Sequence, residues 1–352
     1  MSEFQRSTRG KQKVKSRKKL IFMWIFVPFL IVALSGVGYA TFLMNKAESV
    51  VKKSYKPVKA VSKREVKVDP KLDNVSILII GVDESEVRAK QYGDAVRSDA
   101  LMVATFNKEQ KSVKLLSIPR DSYVRIPGRK NNDKINHAHA FGGTELTIET
   151  VQELLDIPID YYVKVNFNAF IDAVDALGGI EAEVPYAISE QDSKDRPDAI
   201  KLKPGLQTLN GEQALALART RHKDSDIMRG QRQQEIIKAI MKKAISVGSI
   251  TKHADLIEAV GDNMTTNMSF DEMKTFMDYG LAGTGLTIDT LTLNGSDQYI
   301  KDIYYYIVDK TSLEEVKTIL KNHLDTNPNT ANVNSEQVVP DDNGKDTEIN
   351  EQ

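Results

Sequence analysis

Residues 20–44 form an unbroken run without a charged side chain. A helix of about 20 apolar residues is long enough to cross the roughly 30 Å hydrocarbon core of a bilayer. A cleavable signal peptide is the alternative, but its apolar core is only about 7–15 residues long. Gly38-Tyr39-Ala40 is also a poor cleavage site. The sequence therefore predicts one N-terminal transmembrane helix that is retained.

Basic residues are concentrated on the N-terminal side of this predicted span. Residues 1–19 contain one acid, Glu3, and the basic residues Arg6, Arg9, Lys11, Lys13, Lys15, Arg17, Lys18 and Lys19. Because cytoplasmic flanks are rich in Lys and Arg, we expect a cytoplasmic N-terminus and an extracellular domain, although lysines between residues 46 and 59 weaken the bias. A basic arm of this kind can also bind nucleic acid. Next to a membrane span it is expected to contact anionic lipid, so no nucleic-acid partner is expected.

Composition divides the rest of the 352-residue chain. Residues 45–73 are charged with little apolar periodicity, which predicts a stalk. Residues 74–325 are predicted to fold as one extracellular domain, with the sequence motifs in 74–248 and an extension in 249–325. Residues 326–352 are rich in Asn, Asp, Pro and Glu, which predicts disorder. The chain has no cysteine, which excludes thiol catalysis, disulfides and a zinc–thiolate site.

Three apolar runs are predicted to form adjacent strands. Residues 75–81 have the pattern of a buried strand, which delivers Asp83 at its end. Residues 100–106 and 112–118 are separated by a polar turn, which predicts a β-hairpin. Asp83 can join the charged residues of this hairpin if its strand pairs beside it.

Two charged motifs flank the predicted hairpin. Arg97-Ser98-Asp99 precedes the first strand, and Pro119-Arg120-Asp121 follows the second. If Phe106 lies opposite Ser112, Asp99 faces Pro119 and the two motifs meet at one end of the sheet. Pro119 cannot donate to the ladder, so pairing should stop there and release Arg120.

Carboxylates are expected to collect at this end of the sheet. Asp83, Asp99 and Asp121 lie beside Arg97 and Arg120 in the predicted arrangement. Two or three carboxylates near arginines suit Mg²⁺, which prefers oxygen ligands, keeps several waters and bridges phosphate oxygens. The alternative is that the carboxylates only form ion pairs with the arginines.

Strands and helices alternate through the rest of the domain, which indicates an α/β fold. Capping boxes are predicted at Ser269-x-x-Glu272 and Thr311-x-x-Glu314. The polar loop over residues 185–205 is long, so a mobile lid or a disordered segment is expected. The further elements predicted are helices over 144–155 and 168–177 and strands over 161–167, 180–184, 286–293 and 299–308, the last two at a sheet edge.

Residues 217–234 carry more arginine, aspartate and glutamine than a packing surface needs. A short helix from Gly211 is predicted to end near Ala218, and a long helix is predicted over 227–247. On the long helix Asp226, Arg229 and Gln233 share a face. Arg219 and Arg221 point the same way on an extended segment and could converge with Arg229. Gly230 costs about 1 kcal/mol inside a helix, which indicates close approach of backbone or ligand.

Two interpretations of these arginines remain open at this point. One is an Arg–Asp network that closes the helix junction. The other is a diphosphate site, because each planar guanidinium can hold two oxygens.

A set of motifs spread over about 160 residues resembles the LytR-CpsA-Psr family of membrane-anchored enzymes from Gram-positive cell walls. The motifs are Gly81-Val-Asp83, Arg97-Ser-Asp99, Ser117-Ile-Pro-Arg-Asp121, Lys134-Ile-Asn136, Ala176-Leu-Gly-Gly179, Asn210-Gly-Glu-Gln-Ala-Leu215, Arg219-x-Arg221 and Asp226-x-x-Arg229-x-x-Arg-Gln-Gln234. The resemblance implies an α/β/α sandwich with a central mixed β-sheet. It also implies a transferase that moves an anionic glycopolymer, such as wall teichoic acid, from a polyprenyl diphosphate carrier to peptidoglycan through a phosphodiester.

The same resemblance implies roles for individual residues. Arg97, Arg120, Arg219, Arg221, Arg229 and Gln233 would hold the diphosphate, Asp83 and Asp99 would bind Mg²⁺, and Lys134 would be a further contact. Asp99, Asp121 and Asp226 are candidate bases for the acceptor hydroxyl. Two other functions use the same arginines: a binding or regulatory module that grips the lipid-linked polymer without chemistry, and a hydrolase of the same diphosphate.

Overall fold

The computed structural model describes residues 39, 41–59, 64, 68–83, 96–220, 226–246, 250–261, 263–281 and 286–325. The strands are β1 Val75–Val82, β2 Ser98–Asn107, β3 Ser112–Ile118, β4 Tyr123–Val124, β5 Asp133–Lys134, β6 Tyr161–Asn166, β7 Ile180–Val184, β8 Ile188–Glu190, β9 Ile200–Leu202, β10 Gly205–Leu209, β11 Met264–Thr266, β12 Thr287–Thr292, β13 Gly295–Ile300 and β14 Ile303–Val308. The helices are α1 over residues 41–54, α2 His137–Leu155, α3 Phe167–Ala176, α4 Gly211–Arg219, α5 Asp226–Ser246, α6 Ile250–Gly261, α7 Phe270–Leu281 and α8 Lys310–His323.

A mixed six-stranded sheet forms the centre of the domain, in the order β11-β6-β1-β2-β3-β12. Strands β1, β2 and β3 are antiparallel neighbours, whereas β6 runs parallel to β1 and β12 runs parallel to β3. The other strands form four two-stranded pairs, β4–β5, β7–β10, β8–β9 and β13–β14. The predicted α/β class, the strand β1 beside the hairpin and the mixed sheet are confirmed.

Helices cover both faces of the sheet because side chains alternate along each strand. Leu78 and Ile80 of β1 lie on one face, in a core that also contains residues of α2 and α8. Ile79 lies on the other face, packed in a cluster with Ile237 and Met241 of α5. Three layers result, with the sheet buried between two layers of helices.

The β2–β3 hairpin forms, but its predicted register was wrong by one residue. Asn107 pairs with Ser112, and Phe106 pairs with Val113. The turn is one residue shorter than expected because Asn107 Oδ1 accepts from Gln110 N over 2.8 Å and stays in the ladder. Continued past Ile118, this register sets Asp99 opposite Arg120, so the two charged motifs still meet.

The C-terminal part differs most from the prediction. The single strand expected over residues 299–308 is a hairpin, because Lys301 and Asp302 both adopt positive φ angles, 51° and 65°, and reverse the chain. This β13–β14 hairpin is separate from the six-stranded sheet, whose edge strand there is β12. The capping box of Ser269 and Glu272 is confirmed by reciprocal hydrogen bonds of 2.7 and 3.3 Å.

Helix α8 begins one residue before Thr311, and the predicted box there was wrong. Its N-cap is Asp309, whose side chain accepts from Ser312 N over 2.9 Å. The long loop over 185–205 is also more ordered than expected. It contains the antiparallel pair β8–β9, and Asp192 accepts backbone N–H groups of Lys194 and Arg196.

Residues expected at the end of the membrane span and in the stalk pack on the domain instead. Leu43 and Ala47 of α1 are buried one helical turn apart and contact Ile257 of α6 and Phe270 of α7. After the helix, Lys56 N donates to Thr266 O over 2.7 Å. The apolar residues that lie on one side of this helix were not predicted to pack, because charged residues separate them in the sequence.

The predicted membrane span lies almost wholly outside the described residues. Within the described ranges, no helix combines the length and the apolar character that crossing a bilayer requires. The predicted tails, 1–19 and 326–352, also lie outside these ranges.

Candidate functional site

A cavity of about 590 Å³ opens near α4 and α5, at the edge of the sheet where β1 and β3 end and β2 begins. Its charged lining residues are Asp83, Asp99, Arg120, Glu190, Arg219 and Arg229. Its apolar wall includes Ile79, Met102, Val165, Phe167, Phe170, Leu215, Ile236 and Ile237. The cavity therefore joins a strongly charged end to a long apolar side.

Three arginines reach this cavity from three separate elements. Arg120 follows β3, where ladder pairing stops at Ile118 before Pro119, as predicted. Arg219 is the last residue of α4, and Arg229 lies in the first turns of α5. Their convergence depends on the fold, since Arg120 and Arg229 are more than 100 residues apart in sequence.

Arg120 links the two motifs that flank the hairpin. Its Nη1 donates to Asp99 Oδ1 over 2.7 Å. Its Nε is buried and lies 3.4 Å from Asp121 Oδ2, without a hydrogen bond among the described residues. The guanidinium is therefore held between Asp99 and Asp121.

Arg229 is held rigidly at the start of α5. Its Nη2 lies 2.6 Å from Asp226 Oδ1, and the two side chains are only 6% and 9% exposed. The second oxygen of Asp226, Oδ2, is buried and accepts no hydrogen bond in the part of the chain described. Asp226 itself is not among the residues that line the cavity.

Arg219 is held more loosely than Arg229. Its guanidinium carbon lies 4.7 Å from the centre of the Phe167 ring, a cation–π contact. Its Nη2 is 3.9 Å from Asp195 Oδ1, too far for a hydrogen bond. Gln233, one further turn along α5, lines the same cavity and donates to Ala218 O over 3.2 Å.

Asp121 and Lys134 form a buried pair behind Arg120. Lys134 Nζ lies 2.9 Å from Asp121 Oδ1. Burial alone would raise the pKa of Asp121, but the hydrogen bond from Lys134 and the charges of Arg120, Lys134 and Arg229 outweigh it and hold the pKa below its ordinary value. Asp121 is therefore ionised at neutral pH and fixes both cations.

Four predicted site residues stand apart from the cavity lining. Arg97 is exposed, just before β2. Asp121 and Lys134 support Arg120 from behind, and Asp226 supports Arg229. Arg221 lies outside the described residues.

The sequence did not single out several lining residues. Phe167 and Phe170 lie at the start of α3, one turn apart and directly after β6, so a strand end followed by paired aromatics is the signal that would have found them. Glu190 and Gln191 reach the cavity from the β8–β9 segment, which carried no motif. The helix predicted over 144–155 does not line this cavity.

Gly230 has a packing explanation. A Cβ at this position would lie 2.8 Å from Ser117 Oγ of β3. A close approach is present, but it is made by a side chain of β3 and not by backbone or a ligand as predicted.

Comparison with known proteins assigns this chain to a family. The model of the LytR_cpsA_psr family matches residues 41–322. The chain belongs to the LytR-CpsA-Psr family.

Relatives in this family have named activities. The chain is 39% identical over 323 residues, 91% of its length and 99% of the relative's, to the polyisoprenyl-teichoic acid–peptidoglycan teichoic acid transferase TagT of Bacillus subtilis (strain 168). It is 38% identical over 315 residues, 88% of its length and 98% of the relative's, to TagU of the same organism, which carries the same activity name.

Solved structures of TagT match the same fold. TagT bound to LIIa-WTA superposes with a TM-score of 0.66 at 38% identity, covering 77% of this chain and 99% of that one. TagT with bound octaprenyl pyrophosphate lipid superposes with a TM-score of 0.61 at 36% identity, with the same coverage. The mixed α/β fold of this chain is therefore that of the LytR-CpsA-Psr structures.

Proposed function

We propose that this protein transfers an anionic glycopolymer, of the wall teichoic acid type, from a polyprenyl diphosphate carrier to peptidoglycan. The observation that carries the proposal is the convergence of Arg120, Arg219 and Arg229 with Asp83 and Asp99 on one cavity whose other walls are apolar. The charged end matches a diphosphate, and the apolar side matches a prenyl chain. The activity names of TagT and TagU support the same reaction.

The reaction requires charge to be held in place more than it requires covalent help from the protein. A hydroxyl of the acceptor attacks the phosphorus that carries the glycopolymer, the P–O bond to the second phosphate breaks, and polyprenyl phosphate leaves with the bond electrons. The product is a phosphodiester between polymer and acceptor. Arg120, Arg219 and Arg229 stabilise the charge on the diphosphate oxygens, which is the role we assign to them. Gln233 and Arg97 are proposed to bind the donor, together with Arg221.

A proton must leave the attacking hydroxyl. Asp121 is already neutralised by Lys134 and Arg120, and Asp99 accepts from Arg120. Asp226 is likewise paired with Arg229 at 2.6 Å and does not line the cavity. Asp99, Asp121 and Asp226 therefore stay the three candidate bases we propose, and Asp99 is the one that lines the cavity.

Asp83 and Asp99 form a donor set that fits Mg²⁺. Both carboxylates line the cavity beside the arginines, and Asp83 is only 6% exposed. No cluster of three or more metal-ligating side chains occurs among the described residues, but Mg²⁺ uses one or two carboxylates and completes its shell with water and phosphate oxygens. When bound there, Mg²⁺ would neutralise charge on the diphosphate.

The membrane anchor belongs to the same proposal. A span within residues 20–40, before α1 and with a cytoplasmic N-terminus, would hold the domain outside the cell on the surface where lipid-linked polymer and peptidoglycan meet. Phe167 and Phe170 would contact the prenyl chain.

Product analysis tests the proposal against its rivals. Purified full-length protein is incubated with a short anionic polymer on polyprenyl diphosphate, peptidoglycan fragments and Mg²⁺. Polymer linked to the fragments, with release of polyprenyl phosphate, is expected. Free polymer phosphate alone would indicate a hydrolase, and bound donor without product would indicate a binding module.

The metal site has its own test. Asp83→Asn is expected to weaken Mg²⁺ binding in the presence of the donor, measured by calorimetry, because it removes one of two anionic ligands. Asp289→Asn is the control, since Asp289 lies on β12 and pairs with Lys114 away from the cavity. Equal Mg²⁺ affinity in both variants would contradict the assignment.

A further inference from the structure

The β13–β14 hairpin carries a pair of tyrosines, one exposed and one half-buried, beside the catalytic cavity. Tyr299 and Tyr304 are directly opposite each other on the two strands, with ring centres 5.7 Å apart in an edge-to-face arrangement. Tyr299 is 74% exposed. We call these two tyrosines the hairpin platform.

The hairpin is fastened to the site rather than to the central sheet. Tyr306 N donates to Asp121 O over 2.9 Å, and the buried Tyr306 hydroxyl donates to Leu293 O over 3.0 Å. Tyr305 packs edge-to-face on Tyr123 with ring centres 4.8 Å apart. The platform therefore has a fixed position relative to Asp121.

A short series of contacts joins the platform to the cavity. The Tyr304 ring centre lies 5.6 Å from Lys134 Nζ, and Lys134 Nζ lies 2.9 Å from Asp121 Oδ1. Asp121 in turn faces Arg120 Nε at 3.4 Å, and Arg120 lines the cavity. A molecule resting on the platform would lie next to the charged end of the cavity, away from its apolar wall.

The surroundings of Tyr304 select against an anionic occupant. Its hydroxyl donates to Asp297 Oδ1 over 2.8 Å. Burial, followed by the charges of Asp297, Asp226 and Asp121, raises the pKa of this hydroxyl. Asp121 and Asp226 are paired with Lys134 and Arg229, so Asp297 is the carboxylate that disfavours the polyanionic donor and anionic lipid at this place. It favours an uncharged partner with hydroxyl groups.

We propose that the hairpin platform binds the sugar chain of the acceptor, with a pyranose ring stacked on Tyr299. One face of a pyranose carries a patch of C–H bonds, which complements the negative face of an aromatic ring, while its hydroxyls can reach Asp297. This inference rests on the proposed function for its choice of acceptor. It adds a second subsite to the reaction, separate from the arginines that hold the donor.

Direct binding tests the platform without any transfer. Full-length protein in detergent is titrated calorimetrically with a short oligosaccharide of β-1,4-linked N-acetylhexosamines, with no donor present. Tyr299→Ala is expected to weaken binding roughly three- to tenfold, and Tyr299→Phe is expected to retain it, since the ring is kept. Leu206→Ala is the matched control, because Leu206 is a similarly exposed apolar side chain, 69%, on β10.

A kinetic measurement separates this inference from the proposed function. In the transfer assay Tyr299→Ala is expected to raise KM for the acceptor by a similar factor and to leave KM for the donor unchanged. Equal oligosaccharide binding by wild type and Tyr299→Ala, or no binding by wild type, would overturn the inference. A protein that binds the oligosaccharide through Tyr299 but never forms product would overturn the proposed function and leave the sugar site standing.

Discussion

Arg120 Nη1 donates to Asp99 Oδ1 over 2.7 Å, and this bond joins the residue that follows β3 to a residue of β2. Both side chains line the same cavity. The guanidinium is therefore already oriented before a ligand arrives. Preorganised donors of this kind are expected to stabilise charge without reorganisation during the reaction.

Arg120→Ala is expected to lower kcat/KM for polymer transfer by roughly 10²–10³-fold, because a fixed donor to the diphosphate is lost. Arg120→Lys should recover only part of the activity, since an ammonium cannot hold two oxygens in a planar fork. Arg125→Ala provides the control, because Arg125 is 73% exposed and pairs with Glu153 at 3.3 Å. Steady-state kinetics on the folded variants gives the comparison, and equal loss in Arg120→Ala and Arg125→Ala would count against the site.

The Asp121–Lys134 pair is expected to stabilise the domain in a pH-dependent way. The pKa of Asp121 is lowered in the folded protein, so its contribution is present above the ordinary value of 3.8 and is lost as pH falls through the lowered pKa. Asp121→Asn should reduce the free energy of unfolding at pH 7 by about 3 kcal/mol, because it leaves Lys134, whose side chain is only 19% exposed, without its partner. Denaturant titrations at several pH values measure this.

A double-mutant cycle identifies the origin of that loss. Asp121→Asn combined with Lys134→Met removes both charges, so it should cost less than the sum of the two single changes. Additive losses would show that the pair is not coupled.

Gly230→Ala is expected to destabilise the domain by about 1–2 kcal/mol, since the new methyl group would press on Ser117 Oγ at 2.8 Å. In a Ser117→Ala background the obstacle is gone and the helix gains a better helix former. Gly230→Ala should then be neutral or should stabilise α5 by up to about 1 kcal/mol. Thermal unfolding of the four proteins checks the sign reversal, and an unchanged cost in the Ser117→Ala background would point to a different role for Gly230.

His323 is expected to make stability fall in mild acid. Its Nδ1 is hydrogen-bonded to Thr105 Oγ1 and its Nε2 to Ser112 Oγ, each over 2.8 Å. Burial, aided by the charge of Lys114, lowers the pKa of His323 to about 4. Between the ordinary value of 6.5 and about 4 the unfolded chain binds a proton that the folded chain does not, so the free energy of unfolding decreases as pH falls through this window.

His323→Gln should flatten this pH dependence, although it also lowers stability at pH 8 by loss of packing. Denaturant titrations from pH 4 to pH 8 on both proteins provide the slopes. Identical slopes would mean that another group titrates in this range.

Local patterns predicted the elements that carry the site. The motif residues Arg120, Arg219 and Arg229 reach one cavity because Pro119 ends a strand and Asp226 begins a helix, and both signals are short-range. The capping box at Ser269 was equally local and correct. Helix α5 was predicted to within one residue at each end.

Two turn conformations without a sequence signal and one contact between distant segments account for what sequence reasoning missed. The hairpin register depended on a hydrogen bond from Gln110 N to the Asn107 side chain, which keeps one more residue in the ladder. The turn at Lys301 and Asp302 uses positive φ angles at residues that rarely adopt them, so no turn signal was visible. The apolar stripe of α1 becomes apparent only when Leu43 and Ala47 are set against Ile257.

Because α1 is packed on the domain, the domain cannot rotate freely relative to α1, as it could on a flexible tether. Val51 is 1% exposed in α1, Gly261 of α6 has no room for a Cβ beside Val50, and Ser54 Oγ donates to Gly261 O. Any helical continuation before residue 41 would share the axis of α1 and turn with the domain. Each residue inserted within α1 would rotate such a continuation by roughly 100° relative to the cavity. The number of residues in α1 would therefore set the direction in which the cavity faces.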